Sequence, residues 1–372
     1  MLLAPFRPAL SRWSRPSVTR LISFQGRTSP VPLTTSKALT IYKSRVPRVP
    51  VTRLQTIVTA GPNAPVQPTL GTFMRLLPKP AVPYAQLIRL DKPVGTWLLY
   101  WPCTWGIGMA AYASSAPIMS TLWTLTLFGI GALVMRGAGC IVNDLWDRNL
   151  DKQVERTASR PIASGLITPK QGMVYLFGQL LVGLGVLLSL PLDCFLLGAS
   201  SLGFVATYPL FKRFTYYPQL MLAFTYNWGA MLGFPAMHVW DMSTMASLYL
   251  SGVCWTMVYD TIYAHQDKRD DVSAGIKSTA LAWADKSKLI MTGFTVAQAG
   301  LLVTAGALNA MGPLYFAGVA WAMYRLGKMI YQVDLETPKN CWKWFVDNIK
   351  TGGVIFLGIF LDYLSNLFTI FM

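Results

Sequence analysis

No aspartate or glutamate occurs before Asp91, although thirteen lysines and arginines do. Charged residues of either sign make up only 13% of the 372-residue sequence, about half the ~25% usual in soluble domains. That scarcity excludes an ordinary soluble protein. Cysteine is sparse too. Cys103, Cys140, Cys194, Cys254 and Cys341 show no CxxC spacing, so neither a disulfide framework nor a zinc site is expected, and buried free thiols are. The only histidines, His238 and His265, have no spacing partner for a metal and are given no catalytic role. The acid-free N-terminal stretch, with Arg7, Arg12, Arg15, Arg20, Arg27, Arg45, Arg48 and Arg53 among Ser, Thr and Pro, reads as a mitochondrial transit peptide and basic linker over residues 1–70. A disordered basic arm for anionic lipid or nucleic acid is the plainer alternative. Its basic residues are spaced and not clustered, so nucleic acid is not an expected partner.

What the chain has in quantity is apolar length. It is 53% hydrophobic with a mean hydropathy of +0.41. Runs near the ~20 residues that span hydrocarbon fall at about 94–113, 121–142, 172–190, 193–210, 219–238, 243–263, 289–308, 311–331 and 352–372. The expected fold class is therefore all-α, a polytopic bundle of nine transmembrane helices. Loop charge orients it. Arg89 and Lys92 precede the first span; Arg148, Lys152, Arg156, Arg160 and Lys170 follow the second; Lys212 and Arg213 follow the fourth; Lys268, Arg269, Lys277, Lys286 and Lys288 follow the sixth; and Lys339, Lys343 and Lys350 follow the eighth. The intervening loops have no basic residue, so every basic loop lies on one face, as the positive-inside rule requires. In a mitochondrion that face is the matrix side of the inner membrane.

Two acidic stretches lie on this face. On a continuous helix turning ~100° per residue, Asn143, Asp144, Asp147 and Asp151 share a stripe about 100° wide, and Asp260, Asp267 and Asp271 fall within about 40°. Carboxylates so close repel unless a cation sits between them, and Mg²⁺ shared with substrate phosphates suits an all-oxygen set. Arg148, Lys152, Lys212, Arg213 and Lys268 stand near enough in sequence to complement remaining phosphate charge. A diphosphate at the mouth of an apolar bundle implies an ester with a long hydrocarbon tail. Drawing off pyrophosphate would leave an allylic cation for an electron-rich acceptor to capture.

Three segments carry a resemblance. They are Arg89-Leu-Asp91-Lys92-Pro93-Val-Gly95-Thr-Trp97-Leu-Leu-Tyr-Trp101-Pro102; Met135-Arg136 through Asn143-Asp144 to Ser164-Gly165; and Tyr259-Asp260-Thr261-Ile-Tyr263 through Asp267 to Ala280. Together they resemble UbiA-type intramembrane aromatic prenyltransferases, in the branch serving ubiquinone biosynthesis, from about residue 80 to 372. The resemblance implies a central cavity opening to lipid, a polyprenyl diphosphate donor, 4-hydroxybenzoate as acceptor, and Mg²⁺. By the same carry-over, Asn143, Asp147 and Asp151 match the first metal motif and Asp267 and Asp271 the second. Asp147, Asp151, Asp267 and Asp271 are the expected catalytic set, with Asp144 and Asp260 as further metal-site residues. Association with other ubiquinone-pathway enzymes is a further expected partnership.

Plainer readings stand beside these. Arg136, inside the second span, either reaches along its helix to the interface or pairs with the acceptor carboxylate. Trp97, Tyr100 and Trp101 suit an interfacial aromatic belt as well as a substrate wall. Tyr259 and Tyr263 either pack or face a carbocation with their rings. Arg156 and Arg160 either serve topology or close over diphosphate. Homogentisate, a naphthoate or haem would change the acceptor and keep the fold. A cation-coupled transporter also places acids among helices, but typically near the bilayer midplane.

Overall fold

The computed structural model describes residues 72–371 except 154–156, 205–206, 208–210 and 212–213. The 1–70 leader expectation lies outside the described residues. All regular structure among the described residues is helical. A turn, α1 (Thr72–Arg75), and α2 (Val82–Leu87) precede α3 (Val94–Ser114) and α4 (Ile118–Trp146). Next come α5 (Pro169–Leu188), α6 (Leu192–Ser200), α7 (Pro218–Tyr226), α8 (Trp228–Ala236) and α9 (Met242–Ala264). Two short helices, α10 (Lys268–Ala274) and α11 (Thr279–Trp283), lead to α12 (Ser287–Leu308) and α13 (Pro313–Gln332). Finally α14 (Pro338–Asp347) precedes α15 (Ile349–Phe371).

Local chemistry sets many of these ends. Proline occupies the first position of α5, α7, α13 and α14, where its missing N–H costs nothing. Thr168 and Gln171 form a reciprocal capping box on α5, with bonds of 2.9 and 3.3 Å. The Asp241 carboxylate accepts from the Ser243 and Thr244 amides to start α9.

Four segments are long and apolar enough to cross a membrane: 118–146, 169–188, 279–308 and 338–369. Helices α3, α9 and α13, of 21, 23 and 20 residues, have the length but dilute their apolar content with Trp, Tyr, Thr, Ser or charge. For α9 the reason is position. Most of it is buried in protein, including Thr256, Tyr259, Asp260 and Thr261, where polar groups find partners that lipid lacks. Helix α5 is the opposite case, with only Gly172 buried. One expected span is broken: the run at 219–238 divides into α7 and α8 at Asn227. Its buried amide donates to Ala223 O and Thr256 Oγ1 at 2.8 Å each, which holds the break in place.

The core centres on α3 and α9. Helix α3 packs against α4, α8 and α15, while α9 packs against α7, α12 and α14. The approach of α3 to α8 is backbone on backbone. A Cβ at Gly233 would lie 2.6 Å from Gly106 C and 2.9 Å from its Cα, so neither helix can retreat by a side-chain rotation. Gly233→Val is expected to lower stability by about 2–3 kcal/mol in a detergent thermal melt. Gly178→Ala on α5, with open space around it, should leave the melt within about 0.5 kcal/mol of wild type. The cysteines are free as expected, and all but Cys254 are buried.

Candidate functional site

The two acidic stretches sit where long helices end. Helix α4 stops at Trp146, Asp147 caps it, and Asp151 opens a short 3-10 turn. Helix α9 stops at Ala264, Asp267 precedes α10, and Asp271 lies on α10. A single continuous helix through each stretch, on which the angular stripes were projected, is therefore not what forms. The spacing of four survives because backbone bonds join these same residues: Asp147 N to Asn143 O, Asp151 N to Asp147 O, and Asp271 N to Asp267 O, each 2.8 Å. Each such turn of about four residues still returns a metal-motif side chain to one side.

All seven residues of the two stretches line one cavity of about 1330 Å³, together with Arg136, Tyr259 and Tyr263. Its lining carries seven aspartates (Asp91, Asp144, Asp147, Asp151, Asp260, Asp267, Asp271) against five described cations (Arg89, Lys92, Arg136, Arg160, Lys277). The same wall includes apolar side chains, among them Leu98, Phe128, Leu180, Leu184, Leu187 and Leu232. The acid excess in the lining favours cationic company.

Within the first cluster the carboxylates are not equivalent. Asp144 is 1% exposed, and both its oxygens accept from Arg89 Nη2, at 2.7 and 2.8 Å. Arg160 Nη1 then bridges Asp144 (3.2 Å) to both oxygens of Asp151 (3.0 and 2.9 Å). Burial pushes the Asp151 carboxyl above the usual range; Arg160 opposes this, while Asp144 and Asp147 add to it. For Arg89 burial is the largest influence and acts to lower the guanidinium pKa, but attraction to Asp144, the neighbouring Cys140 and the hydrogen bonds to Asp144 together outweigh it and the net shift is upward. Arg89 adopts φ 61°, a left-handed conformation costly for a non-glycine residue, while its side chain also reaches Gln86 O at 2.9 Å. Strain of this kind is found where a side chain must be aimed.

Several oxygens on the cavity wall lack hydrogen-bond partners: Asp91 Oδ1, Asn143 Oδ1 and Ser278 Oγ are all buried without one. Hard oxygen donors left open beside surplus carboxylates fit a hard divalent cation. Among the described residues no three carboxylate, imidazole or thiol groups form a metal cage by themselves.

Other expected site residues fall elsewhere. Arg148 is exposed and donates to Leu145 O at 2.9 Å, Lys152 is exposed, and Lys268 is held by Glu336 at 3.0 Å; none lines the cavity. Each is near an acid motif in sequence, yet the turn after its helix directs it outward or to another partner. Arg156, Lys212 and Arg213 lie outside the described residues. Conversely, the wall gains Arg89, Asp91, Lys92, Lys277, Ser278, Trp342 and Phe345, which had been given no site role. The last two come from α14 and extend an aromatic wall: Tyr263 lies 4.7 Å from Phe345 and 6.5 Å from Trp342, and Tyr259 lies 6.0 Å from Phe345. For Arg89 a signal did exist, since a buried Asp144 demands a cation from somewhere in the chain.

A helical fold of membrane type, with paired acid clusters heading an oily cavity, defines an intramembrane enzyme for amphiphilic substrates. Comparison makes this specific. A profile of the UbiA prenyltransferase family matches residues 99–358. The chain belongs to that family. It is 54% identical over 301 residues to the mitochondrial 4-hydroxybenzoate polyprenyltransferase of Saccharomyces cerevisiae, covering 80% of this chain and 81% of that one. Its identity to the human protein of the same name is 50% over 288 residues, 77% of each. The fold resembles an apo UbiA homologue from Aeropyrum pernix K1, with TM-score 0.61, 18% identity, and coverage of 71% of this chain and 97% of that one. It also resembles an Archaeoglobus fulgidus homologue bound to GPP and Mg²⁺, with TM-score 0.54, 16% identity, and coverage of 73% and 99%.

Proposed function

We propose that the chain transfers a polyprenyl group from an all-trans-polyprenyl diphosphate to 4-hydroxybenzoate, giving 3-polyprenyl-4-hydroxybenzoate and pyrophosphate for ubiquinone biosynthesis. The observation that carries this is the shared cavity, lined by both acid clusters and by many apolar side chains. The names of the curated relatives support the acceptor, and the GPP- and Mg²⁺-bound structure supports the donor class and the ion.

Two Mg²⁺ ions would be held between the clusters, with Asn143, Asp147 and Asp151 as ligands from the first and Asp267 and Asp271 from the second, and Asp260 alongside. The ions supply charge that stabilises departing pyrophosphate. Asp144 is assigned a different task, anchoring Arg89 and Arg160, the latter placed toward the diphosphate. The prenyl C–O bond breaks and its electron pair leaves with pyrophosphate. The aromatic rings of Tyr259, Tyr263, Trp342 and Phe345 offer their π faces to the allylic cation. Arg136 pairs with the acceptor carboxylate. The ring carbon ortho to the hydroxyl forms the new C–C bond, and that carbon loses its proton. No protein nucleophile takes part. The tail lies along Leu98, Phe128, Leu184 and Leu187 into lipid.

In the same reading the nine apolar runs, the one broken at Asn227 included, all span the mitochondrial inner membrane, the acidic face meets the matrix, and residues 1–70 act as the targeting segment. Docking of other ubiquinone-pathway enzymes would use that matrix face. The purified chain should form product from 4-hydroxybenzoate, lose it fully to EDTA, and regain it with Mg²⁺. Turnover that survives chelation would refute the reading, as would preference for homogentisate.

A further inference from the structure

Arg136 stands seven residues before Asn143 on α4, and its guanidinium occupies a slot between two other elements. On one side is the ring of Tyr226, at the end of α7, with Cζ 5.7 Å from the ring centroid. On the other is the bare backbone of Gly95, in the first turn of α3. A Cβ at Gly95 would lie 2.8 Å from both Cζ and Nη2 of Arg136, well inside van der Waals contact. Gly95 is buried, helical, and outside the positive-φ glycines. Backbone conformation therefore gives no reason for glycine here, and a helix ordinarily disfavours it by up to ~1 kcal/mol relative to alanine. What the missing side chain provides is room for a planar cation.

We propose that Gly95 is a specificity-determining positioning residue: its open slot sets where the Arg136 guanidinium sits, and so where a carboxylate-bearing acceptor is held. The inference rests on the reading above in which Arg136 pairs with that carboxylate. A methyl group at position 95 pushes the guanidinium toward Tyr226 and the cavity, and the bidentate fit to a carboxylate is lost while the acid clusters stay where they are. The donor diphosphate, held at the other side of Asn143, is not affected directly.

The test uses the full chain as wild type, G95A, R136K and the double variant. The readouts are KM for 4-hydroxybenzoate, KM for the prenyl diphosphate, kcat, and the inhibition constant of 4-hydroxybenzamide, which keeps the ring but not the anion. G95A is expected to raise the acceptor KM about tenfold, with donor KM and kcat moving less than about threefold. Because lysine lacks the planar fork, adding G95A to R136K should raise the acceptor KM by less than about twofold. The 4-hydroxybenzamide constant should be equal in wild type and G95A. An unchanged donor KM also certifies that G95A folds. A G95A enzyme with a normal acceptor KM, or one whose donor and acceptor constants rise together, overturns the role of Gly95; so does a full G95A penalty in the R136K background. An R136K enzyme with an unchanged acceptor KM instead overturns the carboxylate pairing itself.

Discussion

Asp147→Asn and Asp267→Asn are each expected to lower kcat by about 100- to 1000-fold, with the folded protein recovered at normal yield. Each change removes one negative charge from a different helix end while keeping shape. If both ends grip the same ion-bridged diphosphate, removing either empties the grip. The double variant should then be little worse than either single one, because the groups act as a unit. Single-turnover assays in detergent or nanodiscs, with Mg²⁺ varied, would measure this. Losses that multiplied would mean two independent sites; normal turnover in either variant would mean that cluster has no part in the reaction.

Arg89→Ala carries the second large effect. It leaves Asp144, 1% exposed, with only the longer contact to Arg160, at 3.2 Å. Breaking a buried ion pair by removing one partner costs about 3–5 kcal/mol, because the remaining charge is neither solvated nor paired. The variant should melt well below wild type and lose most of its turnover as Arg160 and Asp151 shift. Arg89→Met combined with Asp144→Leu separates the two losses. Replacing the whole pair by apolar groups should recover much of the stability. Activity should stay low, because Arg160 is then held by Asp151 alone and no longer ties it to Asp144. A double variant with wild-type turnover would show that Asp144 serves folding alone.

How much of this was legible in the sequence depends on the range of the interaction. The spacing of four in Asn143, Asp147 and Asp151, and in Asp267 and Asp271, was readable because it is local, and the backbone bonds along it preserve the common face even where the long helices stop. The continuous helices assumed for that projection were not, since nothing in composition shows where α4 or α9 ends. The break at Asn227 was hidden for a related reason. The run through 219–238 is apolar enough on average to read as one span, and the amide that holds the break finds Thr256, 29 residues away. Pairing by proximity in sequence failed for Arg148 and Lys152, which turn outward, and for Lys268, which Glu336 takes. Arg89 reaches Asp144 across 55 residues, so only the demand of a buried carboxylate pointed to it. Trp342 and Phe345 come from α14, whose mixture of lysines and aromatics forms no apolar run. Their membership of the cavity wall is a fact of tertiary packing.

The most direct measurement of the central claim is binding, not turnover. Titrate pyrophosphate into the purified chain by calorimetry, with and without Mg²⁺, for wild type, Asp147→Asn, Asp267→Asn and the pair. The account predicts Mg²⁺-dependent binding that either single change abolishes and the double change does not worsen. Tight binding without Mg²⁺, or binding that needs only one of the two helix ends, would contradict it.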